Sequence, residues 1–150
     1  VTTLSWVVLL PQLCYIAIND VRVWKITNRS NLLLALSFFV HIAVGGDVDA
    51  LLPNLLTAAG AVLVLYLPYQ RGWLGGGDVK FLIAAHLWLG PFRLMPFSLA
   101  LFAGLLVYYI LMKLALVPVE AVGRQNRIPF GPVGAFALAA SLLIDSSPLP

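Results

Sequence analysis

Six continuous apolar stretches, separated by short polar connections, leave this chain few ways to fold. They run Leu4–Asn19, Asn31–Gly45, Leu51–Tyr69, Gly72–Gly90, Leu94–Val117 and Pro129–Ile144. Apolar residues follow one another without the alternation of a membrane β-barrel, so the stretches predict helices. Only 10% of the residues are charged, against roughly 25% in a soluble domain, so the chain lacks the polar surface to stay in water. At about 20 residues per spanning helix, the chain has room for about six spans and little else. The expected fold is all-α: a polytopic membrane protein forming one integral-membrane domain over residues 1–150, with the lipid bilayer as its surroundings. The first segment has no basic stretch before it, so no cleavable signal peptide is expected.

The connections divide by charge. Arg22, Lys25 and Arg29 lie in the first, Arg71 and Lys80 flank the third, and Lys113, Arg124 and Arg127 lie in or beside the fifth. The second holds Asp47 and Asp49, and the fourth only Arg93. Basic residues favour cytoplasmic loops, which places the odd-numbered connections inside and both termini outside. The basic residues are spread among loops and form no single patch, so nucleic acid is not an expected partner. The strongly apolar part of the fourth stretch, Val79–Gly90, is about 18 Å long as a helix, short of a ~30 Å hydrocarbon core. If it failed to cross, the Lys113–Arg127 connection would move outside against the charge rule. It is therefore expected to cross, with Gly72–Gly77 as an irregular entry buried against protein.

Two carboxylates then share the cytoplasmic face. Asp20 closes the first apolar stretch, and Asp78 follows three glycines in Gly75-Gly76-Gly77-Asp78-Val79-Lys80. Acids at a membrane boundary are costly and are functional candidates by default. Asp20 has the competing reading of a solvated helix-end acid paired with Arg22 or Lys25. Asp78 has that of a helix N-cap, which explains the acid but not the glycines before it. Glycines let a second backbone approach without meeting a Cβ. Together the two acids suit amide hydrolysis: one carboxylate deprotonates a water while the other, protonated, polarises the carbonyl. Two carboxylates sharing a site cannot both ionise cheaply, so their roles separate. Which is acid and which is base is a property of the pair.

The same residues carry a resemblance. Gly75-x-Gly77-Asp78 matches the GxGD signature of intramembrane aspartic proteases. Asp20-x-x-x-x-Lys25-Ile26-x-Asn28 resembles the other aspartate motif of type IV prepilin peptidases, and Ile128-Pro129-Phe130-Gly131-Pro132 resembles that family's entry into its last helix. The resemblance covers essentially the whole chain. It implies an aspartic endopeptidase of the cytoplasmic (inner) membrane of a prokaryote, with its active site facing the cytoplasm. Such enzymes remove the basic leader from prepilins, pseudopilins, Flp-type pilins or archaellins, in pilus biogenesis and type II secretion. It implies Asp20 and Asp78 as the catalytic pair and a prepilin-like substrate, with no metal and no other cofactor. Gly75 and Gly77 would shape the approach of the substrate backbone, and Lys25, Asn28 and Lys80 would help to position it. Thr27 stands where the family often has proline, which would leave that turn less rigid. Longer members carry Cys-x-x-Cys pairs and an N-methyltransferase activity. With Cys14 as its lone cysteine, this chain resembles the short, peptidase-only form, such as those serving tight-adherence pili or archaeal preflagellins, and no methyltransferase activity is expected.

Two other readings stay open on the sequence. A presenilin-like protease cutting within the bilayer predicts a Tyr-Asp motif deep in a helix, whereas Asp20 follows Asn19. A non-catalytic transporter or scaffold subunit would use the broken fourth helix for binding, with a polar site near the midplane. His41 and His86 lack metal-ligand spacing and read as packing or interfacial residues. Ser5, Ser37 and Ser98 offer no nucleophile motif. Trp6, Trp73, Trp88 and Tyr69 are expected at membrane interfaces. Cys14 is expected as a small buried side chain, and Asp145 at the outer end of the last helix.

Overall fold

Apolar residues surround every one of these segments, as expected of helices that meet either protein or lipid on all sides. The structure, a computed structural model, describes residues 3–45, 47–117, 120–122 and 125–144. It contains helices α1 (Thr3–Val23), α2 (Asn28–Gly45), α3 (Leu51–Gln70), α4 (Gly76–Leu89), α5 (Leu94–Lys113) and α6 (Phe130–Leu143). A 3-10 turn, Val48–Ala50, leads into α3. The fold is all-α as expected, with one short hairpin between the last two helices. Strands β1 (Glu120–Val122) and β2 (Gln125–Arg127) form an antiparallel pair between α5 and α6. That connection is too polar to offer a helix an apolar face. Arg124 and Asp145 lie outside the described residues.

Among the described residues, three helical segments are long and apolar enough to cross a membrane: Ser5–Val23, Val48–Gln70 and Leu94–Lys113. At 14 residues each, α4 and α6 are about 21 Å long, well short of a ~30 Å core. These two shortest helices form the interior. α4 packs against α2, α3 and α6, while α6 packs against α1 and α5. Their side chains Phe81, Ala85, Leu89, Ala137 and Leu138 are buried. By contrast α3 and α5, the long apolar helices, turn Leu63, Val64, Leu99 and Phe102 outward. A helix wrapped in protein need not reach the bilayer surfaces itself, because its ends meet protein groups.

The helix ends explain where the stretches break. The fourth stretch does not begin at Gly72, because that residue closes α3. Its amide bonds the Tyr69 carbonyl at 3.0 Å, the Trp73 amide bonds the Pro68 carbonyl at 2.9 Å, and Gly72 takes φ +70°. This is a Schellman cap, whose left-handed residue glycine adopts without strain. The far end of α4 is tied to α3 by Asn54, whose amide donates to the Leu87 carbonyl at 2.8 Å. Trp88 is no interfacial anchor. It is 4% exposed, donates to the Leu34 carbonyl at 3.0 Å and stacks on His41, because its indole N–H finds an acceptor inside. Cys14 is exposed rather than buried, on an outward face of α1 that it shares with Leu10 and Ile18.

The end of α5 is strained. Ala115 caps α5 at φ +55°, with the Leu116 amide on the Leu111 carbonyl. An L-residue there carries a left-handed penalty of about 1–2 kcal/mol, which outweighs the flexibility that glycine adds to the unfolded chain. Ala115→Gly is expected to stabilise the protein by roughly 0.5–1 kcal/mol, read as a rise of a few degrees in melting temperature in detergent. A fall in melting temperature would contradict it.

Candidate active site

Asp20 does not end its helix. α1 continues to Val23, and Asp20 sits in the last turn, 4% exposed. The cause lies across the fold at the start of α6. Pro129 is the N-cap of α6, so the Phe130 and Gly131 amides have no partner within the helix. The Gly131 amide donates to Asp20 Oδ2 at 2.6 Å, and the Phe130 amide is a second donor to this carboxylate. A carboxylate at a helix N-terminus also meets the positive end of the helix dipole. The approach depends on glycine. A Cβ on Gly131 would stand 2.7 Å from Asp20 Cβ and 3.1 Å from the Ile16 carbonyl oxygen. This replaces the solvated helix-end reading of Asp20. Tyr108 of α5 lies within electrostatic reach of the same acid.

The chain leaves α1 through Trp24, whose amide bonds the Asp20 carbonyl at 2.8 Å and whose backbone is left-handed at φ +55°. A bulky residue in that conformation is an outlier that its surroundings must hold in place. The turn carries Lys25 and Ile26 beneath the start of α4. Lys25 is exposed, and its carbonyl accepts from the Asn19 side chain at 3.0 Å. Thr27 gives the turn a defined end. Its hydroxyl accepts from the Ser30 amide at 3.2 Å and pairs with the Ser30 hydroxyl at 2.7 Å, so it N-caps α2. The loss of rigidity expected from threonine in place of proline is thus offset by a side-chain cap.

Asp78 is not the N-cap of α4. Gly75 holds that position, in extended backbone, and Asp78 is the third helical residue. Its carboxylate folds back over Gly75, whose Cβ, if present, would lie 2.9 Å from Asp78 Oδ2. Gly77 packs onto the α1–α2 turn, where a Cβ would come within 2.7 Å of the Ile26 carbonyl oxygen. On the α2 side, Asn31 donates to the Gly77 carbonyl at 2.9 Å and Lys80 Nζ donates to Asn28 Oδ1 at 2.9 Å. Asn28 and Lys80 therefore bond each other at the exposed rim of the site.

Both acids line one cavity of about 700 Å³. Its walls are Trp24, Lys25 and Ile26 from the first turn, the Gly72–Asp78 segment, and Ile128, Pro129 and Phe130 at the entry to α6. The volume lies in the range of ligand pockets. Of the sequence candidates, the structure brings Asp20, Asp78, Gly75, Gly77 and Lys25 to this cavity, and it places Asn28 and Lys80 just outside the lining. Sequence reasoning assigned no role to Trp24, Gly131, Tyr108 or Asn31. The Ile128–Pro132 motif was the one available signal for Gly131. Among the described residues, no three of His, Cys, Asp and Glu converge as a metal site would require. Chemically, the cavity offers two carboxylates of unlike surroundings. One is buried on helix amides, and the other is partly exposed beside bare glycine backbone.

Neither a curated protein nor a solved structure matches the chain. A family model described as the type IV leader peptidase family matches residues 7–112, which include both acids and the glycines between α3 and α4. With that match spanning most of the sequence, and both motif aspartates on one cavity, the chain belongs to the type IV leader peptidase family.

Proposed function

We propose that this protein is an aspartic endopeptidase that cleaves the basic leader from prepilin-like precursors, with Asp20 and Asp78 as its water-activating pair. The observation that carries this reading is the meeting of two acids, 58 positions apart in the sequence, on one cavity floored by glycine backbone. A substrate peptide lying along Gly75–Gly77 would bring its scissile carbonyl between the two carboxylates. The ionised acid takes a proton from water, and the hydroxide adds to the carbonyl carbon. The protonated acid hydrogen-bonds the developing oxyanion. Collapse of the tetrahedral intermediate breaks the C–N bond, and the leaving amine takes up a proton from the pair.

The site lies at the cytoplasmic face of a prokaryotic cytoplasmic membrane in this reading, with six passes and both termini outside. The charge pattern of the connections supports that orientation. The apolar segment of the precursor would pack laterally on outward-facing helix surfaces such as those of α3 and α5, leaving its basic leader at the polar rim. The test is cleavage of a model prepilin by the reconstituted protein and by its Asp20→Asn and Asp78→Asn variants. Processing that needs both acids supports the reading. Undiminished processing by either folded variant removes that acid from catalysis.

A further inference from the structure

The geometry points to Asn31 as a positioning residue for the acid on α4: its side-chain amide holds the Gly77 carbonyl, and with it the place of Asp78 relative to Asp20. The inference rests on the paired-acid reading. Asp20 and Asp78 stand on separate supports. The first is held by α6, whereas the second rides on the opening turn of α4 and is placed by whatever fixes that turn. Gly77, one residue before Asp78, is fixed from two sides. The Ile26 carbonyl presses against it at a distance that admits no Cβ, and Asn31 Nδ2 bonds its carbonyl at 2.9 Å. The neighbouring tie, Lys80 to Asn28, is exposed and correspondingly weaker.

Asn31 is poorly suited to a purely structural role. It is 5% exposed, and its Oδ1 is buried without a partner among the described residues. A buried acceptor left unpaired costs stability, while an apolar residue of the same shape avoids that cost. Leucine removes that unpaired acceptor but also the donor to the Gly77 carbonyl, so the two effects oppose each other and stability is expected to change little. What leucine lacks is the donor onto Gly77. Asn28 and Asn31 lie three residues apart on one face of α2, so that face meets the start of α4 with polar groups at two successive contacts.

The deciding variant is Asn31→Leu in the full reconstituted chain, assayed on a model prepilin beside wild type, Asp20→Asn and Asp78→Asn. Asn31→Leu is expected to melt close to the wild-type temperature. Its kcat is expected to fall about 10- to 100-fold, with KM changed by less than about threefold, because misplacing a reacting group slows chemistry more than binding. Full turnover by Asn31→Leu while both aspartate variants are dead overturns the inference and leaves the pair intact. Full turnover by the aspartate variants themselves fails the reading beneath it.

A second measurement decides the placement without activity. In a Cys14→Ser background carrying Asp20→Cys and Asp78→Cys, the rate of bismaleimide crosslinking reports the relation of the two positions. Asn31→Leu is expected to slow it several-fold, less than the roughly 100-fold that a 1 Å misplacement can cost a catalysed step, because the bismaleimide spacer is flexible. An unchanged rate shows that Asn31 does not set the position of Asp78.

Discussion

Asp20→Asn is expected to leave a folded protein whose turnover falls by about 10²–10⁴-fold, the usual contribution of a positioned general acid or base. Asparagine keeps an oxygen where the Gly131 amide donates at 2.6 Å, so the α1–α6 junction survives. It lacks the ionisable group, so the chemistry does not. Asp20→Ala should behave differently. It strips the acceptor from the start of α6 in a place that is 4% exposed, stranding buried amides at a cost of about 1–3 kcal/mol. Turnover and melting temperature should therefore separate the two variants: equal loss of activity, unequal loss of stability. Asp78→Asn should likewise stay folded, because asparagine keeps a side-chain oxygen in the first turn of α4. The double variant Asp20→Asn/Asp78→Asn should be no slower than either single one, since residues that act as a unit lose their effect once. Turnover by Asp20→Asn within tenfold of wild type, in folded protein, would sink the catalytic assignment.

The acids were legible because charge is rare in this chain and hydropathy makes each carboxylate stand out. The depth of Asp20 was not. A hydropathy reading stops the first stretch at Asn19, whereas the backbone hydrogen bonds carry α1 through Asp20 and Arg22 to Val23 without regard to side-chain polarity. What compensates the buried carboxylate comes from Gly131, 111 residues later, and no local pattern announces a partner at that range. Asn31 was hidden for a related reason. An asparagine near a helix start reads as a surface or capping residue, and only the placement of α2 beside α4 makes it a donor onto Gly77. The shortness of the fourth helix was legible, but its resolution was not. Length predicts a helix that struggles to span, and the fold answers by enclosing α4 among α2, α3 and α6. The β1–β2 hairpin was missed because its polar connection carries no strand periodicity.

Three consecutive glycines should respond to alanine in three different ways, although sequence alone treats them as one motif. Gly76→Ala is expected to be tolerated, because its Cβ would meet nothing closer than the Tyr69 ring at 3.5 Å, an ordinary contact. Placing alanine in the first turn of α4 should even add about 0.5–1 kcal/mol of stability. Gly75→Ala puts a methyl 2.9 Å from Asp78 Oδ2, which is the far end of a side chain that can rotate away. Stability should hardly change, while turnover drops because the carboxylate leaves its place. Gly77→Ala meets the Ile26 carbonyl oxygen at 2.7 Å, and backbone cannot swing aside. The start of α4 must lift off the α1–α2 turn, at a cost of roughly 1–3 kcal/mol, with Asp78 displaced and turnover down about 100-fold. Gly131→Ala applies the same test to the other acid, with its methyl 2.7 Å from Asp20 Cβ and 3.1 Å from the Ile16 carbonyl oxygen. It should match Gly77→Ala in both losses, because each glycine sits where one acid's support meets a neighbouring backbone. Melting temperature and prepilin turnover measured together across the four variants check the pattern. Equal behaviour of Gly75→Ala, Gly76→Ala and Gly77→Ala would mean that the loop acts through flexibility rather than through these contacts.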